Sequence, residues 1–404
     1  MRTAYLSVEF PPRIFGGLGV YVDEISQELV SLGESISVFT LGDGNLPRYQ
    51  DMNGVEVFRL NPVALRDGLD LFLSPQTLAW GEGLRFLEDL ISLNQLSAAS
   101  IMENGPFDLC VAHDWLGLFG GLAVKRVGVP LIYHVHGLEV GRSDSPNPQI
   151  AALERKGGEM ADCVITVSEA MKREMIDLGT PAEKMSVCYH GVNADFFSPE
   201  RANPDDLALL RKRYGFSEDD IIILFVGRLE PVKGVRELLS AFPRVLAGHS
   251  NARLLVVGRG SLEGYATEEA KRQGKGSVTI VTDFLEPEDK MLHYALADLC
   301  VFPSIYEPFG IVALEAGAME KPAVVGAAGT SGLAEIVNNP AAEQPTGIHV
   351  NARDPADIAW GINLALEDRD RLASWGKNAR KRVQEEFTWR KAAERTLAIY
   401  REIA

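Results

Sequence analysis

The chain has 404 residues, of which 46% are hydrophobic, so it is long enough for two ordinary domains with separate cores. Its formal net charge of -16 argues against nucleic acid or an anionic membrane surface as the main partner. It has no run of about 18 apolar residues, and its first residues are too short in apolar length for a signal peptide. We therefore expect a soluble, cytoplasmic protein without stable membrane association.

The cysteines stand at wide spacings, without a paired motif, and most lie in apolar strand-like runs. This pattern is typical of reduced core thiols rather than of disulfides or a metal centre. The four residues are Cys110, Cys163, Cys188 and Cys300.

Strand-like apolar runs alternate with helical segments along the first half of the chain. This alternation predicts a parallel α/β sheet. A helix is expected near residues 20–32, and the strand-like runs are residues 3–8, 35–40, 55–60, 109–113, 130–136, 163–167 and 185–188.

A second series of the same kind follows residues 193–205, which are rich in Pro, Asn and Asp and predict a hinge. Thr388 is a predicted N-cap for an amphipathic helix that continues to about Ile403. The predicted domains are 1–195, 206–386 and a terminal helix over 387–404, and the second series of strands is 221–226, 253–257, 277–281, 299–303 and 323–326.

A glycine-rich turn follows the first predicted strand. Ligands of open α/β sheets bind outside the carboxyl ends of the strands, and glycines there let the backbone approach a ligand. An ordinary turn is the alternative interpretation. The residues concerned are Gly16, Gly17, Leu18 and Gly19.

Three histidines end two later strands of the same predicted sheet. His113 precedes Asp114, and His134 and His136 share one strand face because side chains alternate with a period of two. A metal site is conceivable but lacks a clear third ligand. We interpret His134 as a core histidine with satisfied hydrogen bonds, whereas His113 and Asp114 could be structural or functional.

Two cations lie on the loop after the first strand of the second series. Arg228 and Lys233 are five residues apart, a spacing that could clamp a diphosphate. The alternative is a pair of solvated surface cations.

A glycine pattern near residues 254–283 imitates a dinucleotide fingerprint, since Gly258, Gly260 and Gly264 follow a strand and Asp283 ends the next. It would indicate a dehydrogenase. Gly264 lies one position later than the dinucleotide fingerprint requires, and this strand is not the first strand of its domain. We therefore do not favour a dehydrogenase.

The most specific segment is SIYEPFGIVALEAG, residues 304–317, which places Glu307 and Glu315 in an apolar stretch. Pro308 is predicted just inside a helix start, because its missing N–H costs nothing there. The amides of Phe309, Gly310 and Ile311 would then point out of the helix and bind phosphate. A diphosphate flanked by two hydroxyl-bearing groups is a nucleotide sugar.

This segment resembles the paired-glutamate motif of retaining glycosyltransferases with two facing Rossmann-like domains, the GT-B architecture. It is most similar to family 4 and to the glycogen and starch synthases. The glycine turn, the triplet His113-Asp114-Trp115 and the loop with Arg228 and Lys233 match the family as well. The resemblance therefore covers nearly the whole chain. It implies an α/β fold with a deep interdomain cleft and a C-terminal helix that crosses back to the first domain.

The resemblance also implies roles for individual residues. His136 would line the anomeric side of the sugar, Arg228 and Lys233 would hold the donor phosphates, and Glu307 would orient the hexose hydroxyls. Glu315 would bind the nucleotide ribose. The remaining residues with an implied part in substrate binding are Gly16, Gly17, Leu18, Gly19, His113, Asp114, Phe309, Gly310, Ile311, Thr330, Ser331 and Gly332.

Two positions depart from the family pattern. The lysine that usually precedes the glycine pair is replaced by Ile14, with Arg13 beside it, and Ser331 stands where the synthases commonly have a glycine. Arg13 could substitute for the lysine, or the donor could be held differently.

The resemblance implies a metal-independent enzyme without a cofactor, whose co-substrate is ADP-glucose or UDP-glucose. Glycogen synthesis onto an α-1,4-glucan is the leading prediction, and a small sugar or sugar phosphate is the alternative acceptor. A lipid acceptor is disfavoured, because residues 66–105 contain two basic residues and six acidic ones. A non-catalytic carbohydrate-binding protein is improbable, since the cations and glutamates of the motifs are all present. The sequence does not predict the donor base, the linkage, the oligomeric state or regulation.

Overall fold

The computed structural model describes residues 1–14, 16–64, 73–74, 78, 82–142, 145–274 and 276–404. Within these residues, each half of the chain forms one sheet with helices around it. The observed fold is therefore the predicted α/β architecture with two Rossmann-like domains.

The first sheet has eight strands among the described residues, in the order β3-β4-β2-β1-β5-β6-β7-β8. All neighbouring strands are parallel except β3 and β4. The strands are β1 (Arg2–Leu6), β2 (Ser35–Leu41), β3 (Tyr49–Met52), β4 (Val55–Leu60), β5 (Leu109–His113), β6 (Leu131–Val135), β7 (Cys163–Thr166) and β8 (Met185–Val187).

The helices of this half connect the strands and cover the sheet. In the described residues they are α1 (Gly17–Ser31), α2 (Glu82–Asn104), α3 (Leu118–Arg126), α4 (Glu139–Arg142), α5 (Pro148–Met160) and α6 (Glu169–Asp177).

The second sheet is parallel throughout its described strands, in the order β11-β10-β9-β12-β13-β14. Its strands are β9 (Ile221–Val226), β10 (Ala252–Val257), β11 (Val278–Val281), β12 (Leu299–Phe302), β13 (Ala323–Gly326) and β14 (Gly347–Val350). Its helices are α7 (Pro204–Tyr214), α8 (Val235–Gly248), α9 (Glu263–Arg272), α10 (Pro287–Leu296), α11 (Ile311–Ala318), α12 (Leu333–Ile336), α13 (Pro355–Leu366) and α14 (Arg369–Glu386).

The central strands are buried along their whole length and are mostly apolar, as in β5, β6 and β9. Helices cover both faces of a doubly wound sheet, so such strands need no alternation of polar and apolar residues. This explains why the strands could be recognised as continuous apolar runs.

The last helix, α15 (Trp389–Ile403), returns to the first domain, as predicted. Thr388 is its N-cap, and its side chain accepts a hydrogen bond from the Lys391 amide. Tyr400 Oη lies 2.9 Å from Tyr5 Oη in the buried contact between the helix and β1. The terminal helix therefore belongs to the core of the first domain.

The two chain crossings between the sheets lie side by side. The Val192 amide donates to the Phe387 carbonyl at 2.9 Å, and Val192 and Thr388 form a parallel bridge. A Cβ at Gly191 would collide with the backbone of Thr388 and Trp389. Close contact of the two crossings explains the glycine.

The sequence missed two edge strands, β3 and β14, because both are short and β3 is largely exposed. It also placed the start of the first helix three residues too late, since α1 already begins at Gly17. None of the helices in the described part of the chain is long and apolar enough to span a bilayer.

Candidate active site

Several of the predicted site residues follow strands at the two points where strand order reverses. These points lie between β1 and β5 in the first sheet and between β9 and β12 in the second. Crevices at such points are the usual ligand sites of open α/β sheets. The glycine turn follows β1 and His113 ends β5, whereas Lys233 and Glu307 follow β9 and β12.

Lys233 and Glu307 form an ion pair at the centre of the second-domain site. Lys233 Nζ lies 2.6 Å from Glu307 Oε2, and the side chains are only 17% and 12% exposed. Ser304 Oγ donates to the same carboxylate oxygen at 3.2 Å. Arg228, the other predicted phosphate ligand, is exposed on the same loop. The structure thus brings the predicted phosphate and hexose ligands into direct contact.

The Lys233 loop requires a glycine at its end. Gly234 has a φ of 69°, and a Cβ there would collide with the Pro303 carbonyl at the end of β12. Close packing of the two strand ends therefore fixes the position of Lys233 beside Glu307.

The backbone of Glu307 is held by the loop after β13. Its amide donates to the Thr330 carbonyl at 3.1 Å, and its carbonyl accepts from the Gly332 amide at 2.8 Å. Ser331, one of the two predicted departures from the family pattern, donates its hydroxyl to the Gly326 carbonyl at 2.6 Å. The serine therefore stabilises the loop that positions Glu307.

The predicted start of the glutamate-bearing helix was wrong. Helix α11 begins at Ile311, with Gly310 as its N-cap at a φ of 110°, so Pro308 and Phe309 precede the helix. A Cβ at Gly310 would collide with the Leu333 side chain, which explains the glycine. Glu315 is consequently the fifth residue of the helix, a little more than one turn from its start.

The ring of Phe309 crosses to the first domain. It lies 5.8 Å from the ring of Tyr189 and 5.0 Å from that of His190. Its side chain thus has an interdomain contact that the sequence did not predict.

Glu315 is buried and uses both carboxylate oxygens. Lys290 Nζ lies 2.6 Å from Oε1, and Tyr294 Oη donates to Oε2 at 2.8 Å. These partners offset the cost of burying the carboxylate. Lys290 and Tyr294 were not predicted from the sequence as partners of Glu315, although their spacing of four places them on one face of α10. A ribose that bound Glu315 would have to share these oxygens with Lys290 and Tyr294.

The Glu9 carboxylate accepts hydrogen bonds from amides of the glycine turn. Its Oε2 accepts from the Gly16 amide at 3.1 Å and from the Gly19 amide at 3.2 Å. Arg13 donates to the Gly42 carbonyl at 3.4 Å. A donor phosphate that approached the turn would therefore compete with Glu9, a residue with no distinguishing signal in the sequence.

Four histidines and Tyr21 form a buried cluster on the first-domain side. His113 Nδ1 lies 3.1 Å from His136 Nε2, and the rings of His134 and His136 stack 4.4 Å apart. Tyr21 lies in the middle, 4.7 Å from the ring of His190. The sequence predicted the first three histidines at one sheet edge but did not single out His190, which lies three residues after β8.

His134 is not the satisfied histidine that we predicted. It is fully buried, yet neither of its ring nitrogens has a hydrogen-bond partner among the described residues. Its ring packs against aromatic faces instead, 4.8 Å from Tyr21. Burial holds the pKa of His134 well below its ordinary value, and that of His136 likewise.

The candidate ligand atoms of His113, His134 and His136 lie within 4.8 Å of one another, so the described residues supply the third metal ligand that the sequence lacked. The rings of His134 and His136 are nearly parallel, with an angle of 14°. Nitrogen lone pairs lie in the ring plane, so those of stacked rings run side by side instead of converging on one ion. Metal independence remains a prediction.

Asp114 positions the loop that carries His136. It has a φ of 53° and is nearly completely buried. Its Oδ1 accepts from the His136 amide at 2.7 Å, and its Oδ2 accepts from Arg142 at 3.0 Å. The structure therefore favours a positioning role for Asp114.

The same loop touches the second domain. The Leu138 amide donates to Tyr306 Oη at 3.0 Å, and a Cβ at Gly141 would collide with the Tyr306 ring. Glu154 accepts from the Glu139 amide with both oxygens, at 3.0 and 3.1 Å, and burial raises its pKa to about 8. Neither Tyr306 nor Glu154 was predicted from the sequence to belong to the site.

Comparison with known proteins identifies the family. The model for "Glycosyl transferase 4-like domain" matches residues 16–191, and that for "Glycosyl transferases group 1" matches residues 208–382. A glycosyltransferase of Methanocaldococcus jannaschii, itself uncharacterised, is 32% identical over 99% of this chain and 98% of its own. The chain belongs to the family 4, glycogen-synthase-like glycosyltransferases of the GT-B fold.

Two further relatives have more specific names. Glycogen synthase of Mycobacterium tuberculosis is 29% identical to this glycosyltransferase over 99% of the chain and 94% of the relative. The structure of sucrose-phosphate synthase from Thermosynechococcus elongatus is similar with a TM-score of 0.78 and 25% identity, over 99% of this chain and 98% of that one.

The dinucleotide-like glycines have a structural explanation in this glycosyltransferase. A Cβ at Gly258 would collide with the Gly227 carbonyl, and one at Gly260 would meet the Leu229 carbonyl. These glycines therefore let the loops after β9 and β10 pack closely. The dehydrogenase interpretation was wrong, because the chain belongs to the glycosyltransferases.

The histidine cluster predicts a pH-dependent stability. Burial lowers the pKa of His113 and of His190 to about 3, from an ordinary value near 6.5. The unfolded chain therefore binds protons that the folded one does not, so stability is complete above about pH 6.5 and is lost as the pH falls toward 3. At pH 5, the lowered pKa of His113 and that of His190 should each reduce the free energy of unfolding by roughly 2 kcal/mol.

Urea unfolding of the wild type and of His190→Phe at pH 7.5 and 5.0 measures this effect. The variant should lose about 2 kcal/mol less stability between these pH values than the wild type does. An equal loss in both proteins would show that His190 is not held neutral by the fold.

Proposed function

We propose that this glycosyltransferase is a glycogen synthase, which transfers glucose from ADP-glucose or UDP-glucose to an α-1,4-glucan with retention of configuration and without a metal ion. The observation that carries the proposal is the ion pair of Lys233 and Glu307 at the reversal point of the second sheet. It combines a cation for phosphate with a carboxylate for sugar hydroxyls. The similarity to the glycogen synthase of Mycobacterium tuberculosis supports the choice of acceptor.

Lys233 is suited to hold the diphosphate while it stays beside Glu307. An ammonium group has three donors, and Glu307 takes one of them. The two others can donate to phosphate oxygens, where negative charge develops as the bond to the sugar breaks. Exposed Arg228 and the start of α11 at Gly310 would add to this stabilisation.

Glu307 is suited to orient the hexose. Lys233 and Ser304 both bind Oε2, and among the described residues no hydrogen bond reaches Oε1. That oxygen can accept from a sugar hydroxyl. Because Thr330 and Gly332 fix the backbone of Glu307, the sugar would be held without further movement of the loop.

The reaction requires no strong base from the protein. The bond from the anomeric carbon to the donor phosphate breaks, the acceptor oxygen bonds to the same face, and the departing phosphate oxygen takes the acceptor's proton. The role of the protein is positional and electrostatic, with neutral His136 on the anomeric side. Domain closure would exclude the water that otherwise hydrolyses the donor.

A small sugar or sugar phosphate is the second candidate acceptor. Arg142 lies on the loop after His136 and donates to Asp114, so a cation is present near the anomeric side. The similarity to sucrose-phosphate synthase, a synthase of a sugar phosphate, favours this candidate.

Donor turnover tests the proposal. ADP-glucose and UDP-glucose are incubated separately with the enzyme, with and without glycogen, in buffer containing a chelator. We expect nucleotide release and glucose incorporation that depend on glycogen, with the α-anomer in the product. Release without incorporation would contradict the glucan acceptor and favour a small one, whereas a requirement for added metal would contradict metal independence.

Glu307→Ala should reduce turnover by about a hundredfold or more, because the sugar loses its orienting carboxylate. The ellipticity spectrum should be unchanged, and Glu385→Ala, an exposed glutamate on α14, is a matched control. Near-normal turnover by Glu307→Ala would refute the assignment of this residue.

A further inference from the structure

The side chain of Glu335 crosses from the second domain to the first. Its Oε1 accepts from the Ala170 amide at 2.7 Å, and its Oε2 accepts from the Glu169 amide and from Tyr189 Oη, both at 2.9 Å. We call these contacts the Glu335 bridge. A single carboxylate thus accepts three hydrogen bonds from the opposite domain.

The bridge completes the N-terminus of helix α6. The first amides of a helix have no partner within it, and the helix dipole there favours a negative charge. The side chain of Ser168, the N-cap, accepts from the Met171 amide, and Glu335 supplies the acceptor for the two amides before it. Separation of the domains would leave these amides and the carboxylate to water.

Glu335 is connected to Glu307 through a short stretch of backbone. The Glu335 amide donates to the Gly332 carbonyl at 2.9 Å, and the Gly332 amide donates to the Glu307 carbonyl at 2.8 Å. Arg382 holds the other side of this turn by donating to the Glu335 carbonyl at 3.0 Å. The turn that reaches the first domain is thus the turn that positions the sugar-binding carboxylate.

Tyr189 contributes a second connection. Its hydroxyl belongs to the Glu335 bridge, and its ring packs against Phe309, two residues after Glu307. Burial, followed by the neighbouring charge of Glu335, raises the pKa of Tyr189, so its hydroxyl stays a donor at neutral pH. The bridge and the aromatic contact therefore hold the same side of the cleft closed.

We propose that Glu335 is a positioning residue that couples closure of the two domains to the placement of Glu307. In the closed form, the helix α6 N-terminus fixes Glu335, and the turn at Gly332 holds Glu307 where the donor sugar binds. The donor then binds with an affinity that depends on the closed fraction of the protein. Only the kinetic part of this inference depends on the proposed function.

The test compares the wild-type protein with the variants Glu335→Ala, Glu335→Gln and Tyr189→Phe. The control variant is Glu343→Gln, which changes an exposed glutamate in the same domain. Small-angle X-ray scattering of each protein without ligand measures the radius of gyration. We expect a larger radius for Glu335→Ala and an intermediate one for Glu335→Gln, whose amide oxygen can still accept. The control should match the wild type.

Donor kinetics supply the second readout. Glu335→Ala should raise the KM for the sugar nucleotide by about tenfold or more, and Glu335→Gln should recover part of this loss. The double variant Glu335→Ala with Tyr189→Phe should raise the KM by less than the two single variants would together, because both residues act in one bridge.

An unchanged radius of gyration in Glu335→Ala would overturn the proposal, whatever its kinetics. So would a lower melting temperature as the only effect, since that result would reduce Glu335 to a helix cap. If the wild type turned over neither sugar nucleotide, the proposed function would fail, while the scattering arm would still decide whether the bridge closes the domains.

Discussion

The ion pair between Lys233 and Glu307 is the interaction on which the organisation of the site depends. A carboxylate at the buried end of a parallel strand needs a cation, and the neighbouring strand supplies it. The pair exists only because β9 and β12 are adjacent where strand order reverses, and because Gly234 lets the two loops touch. It also prepares the site electrostatically, since one group is suited to a diphosphate and the other to a neutral sugar.

Contacts of the second domain hold this ion pair in place, and contacts between the domains place the first-domain residues of the candidate site near it. The loop after β13 pairs with the backbone of Glu307 and leads into helix α12, whose Glu335 binds the first domain. Tyr306 meets the His136 loop at a second point. The chain crossings at Val192 and Thr388 lie side by side, close to the Tyr189 contact. Closure and site assembly are therefore parts of one arrangement.

The sequence predicted the sheets, and it placed candidate site residues at their ligand edges, because the relevant signals are local. Buried parallel strands are continuous apolar runs, and glycines and charges at their ends mark the ligand edge. Thr388 was recognised as an N-cap for the same reason. The short strand β3 was missed because its side chains are largely exposed and give no apolar run.

What the sequence could not predict depends on contacts between distant residues. The partners of Glu315 lie on another helix, and those of Glu335 lie in the other domain. The start of α11 shifted because Gly310 adopts a left-handed conformation under Leu333, a tertiary effect. His134 lacks the expected hydrogen bonds because aromatic packing took their place.

Calorimetric titration of nucleotides gives the most direct test of the account. ADP and UDP are compared with adenosine and uridine, on the wild type and on Lys233→Ala. We predict that one diphosphate binds the wild type at least about tenfold more tightly than its nucleoside, and that Lys233→Ala removes most of this difference. Equal affinities of diphosphate and nucleoside for the wild type, or an unchanged difference in the variant, would contradict the role of the ion pair as the diphosphate site.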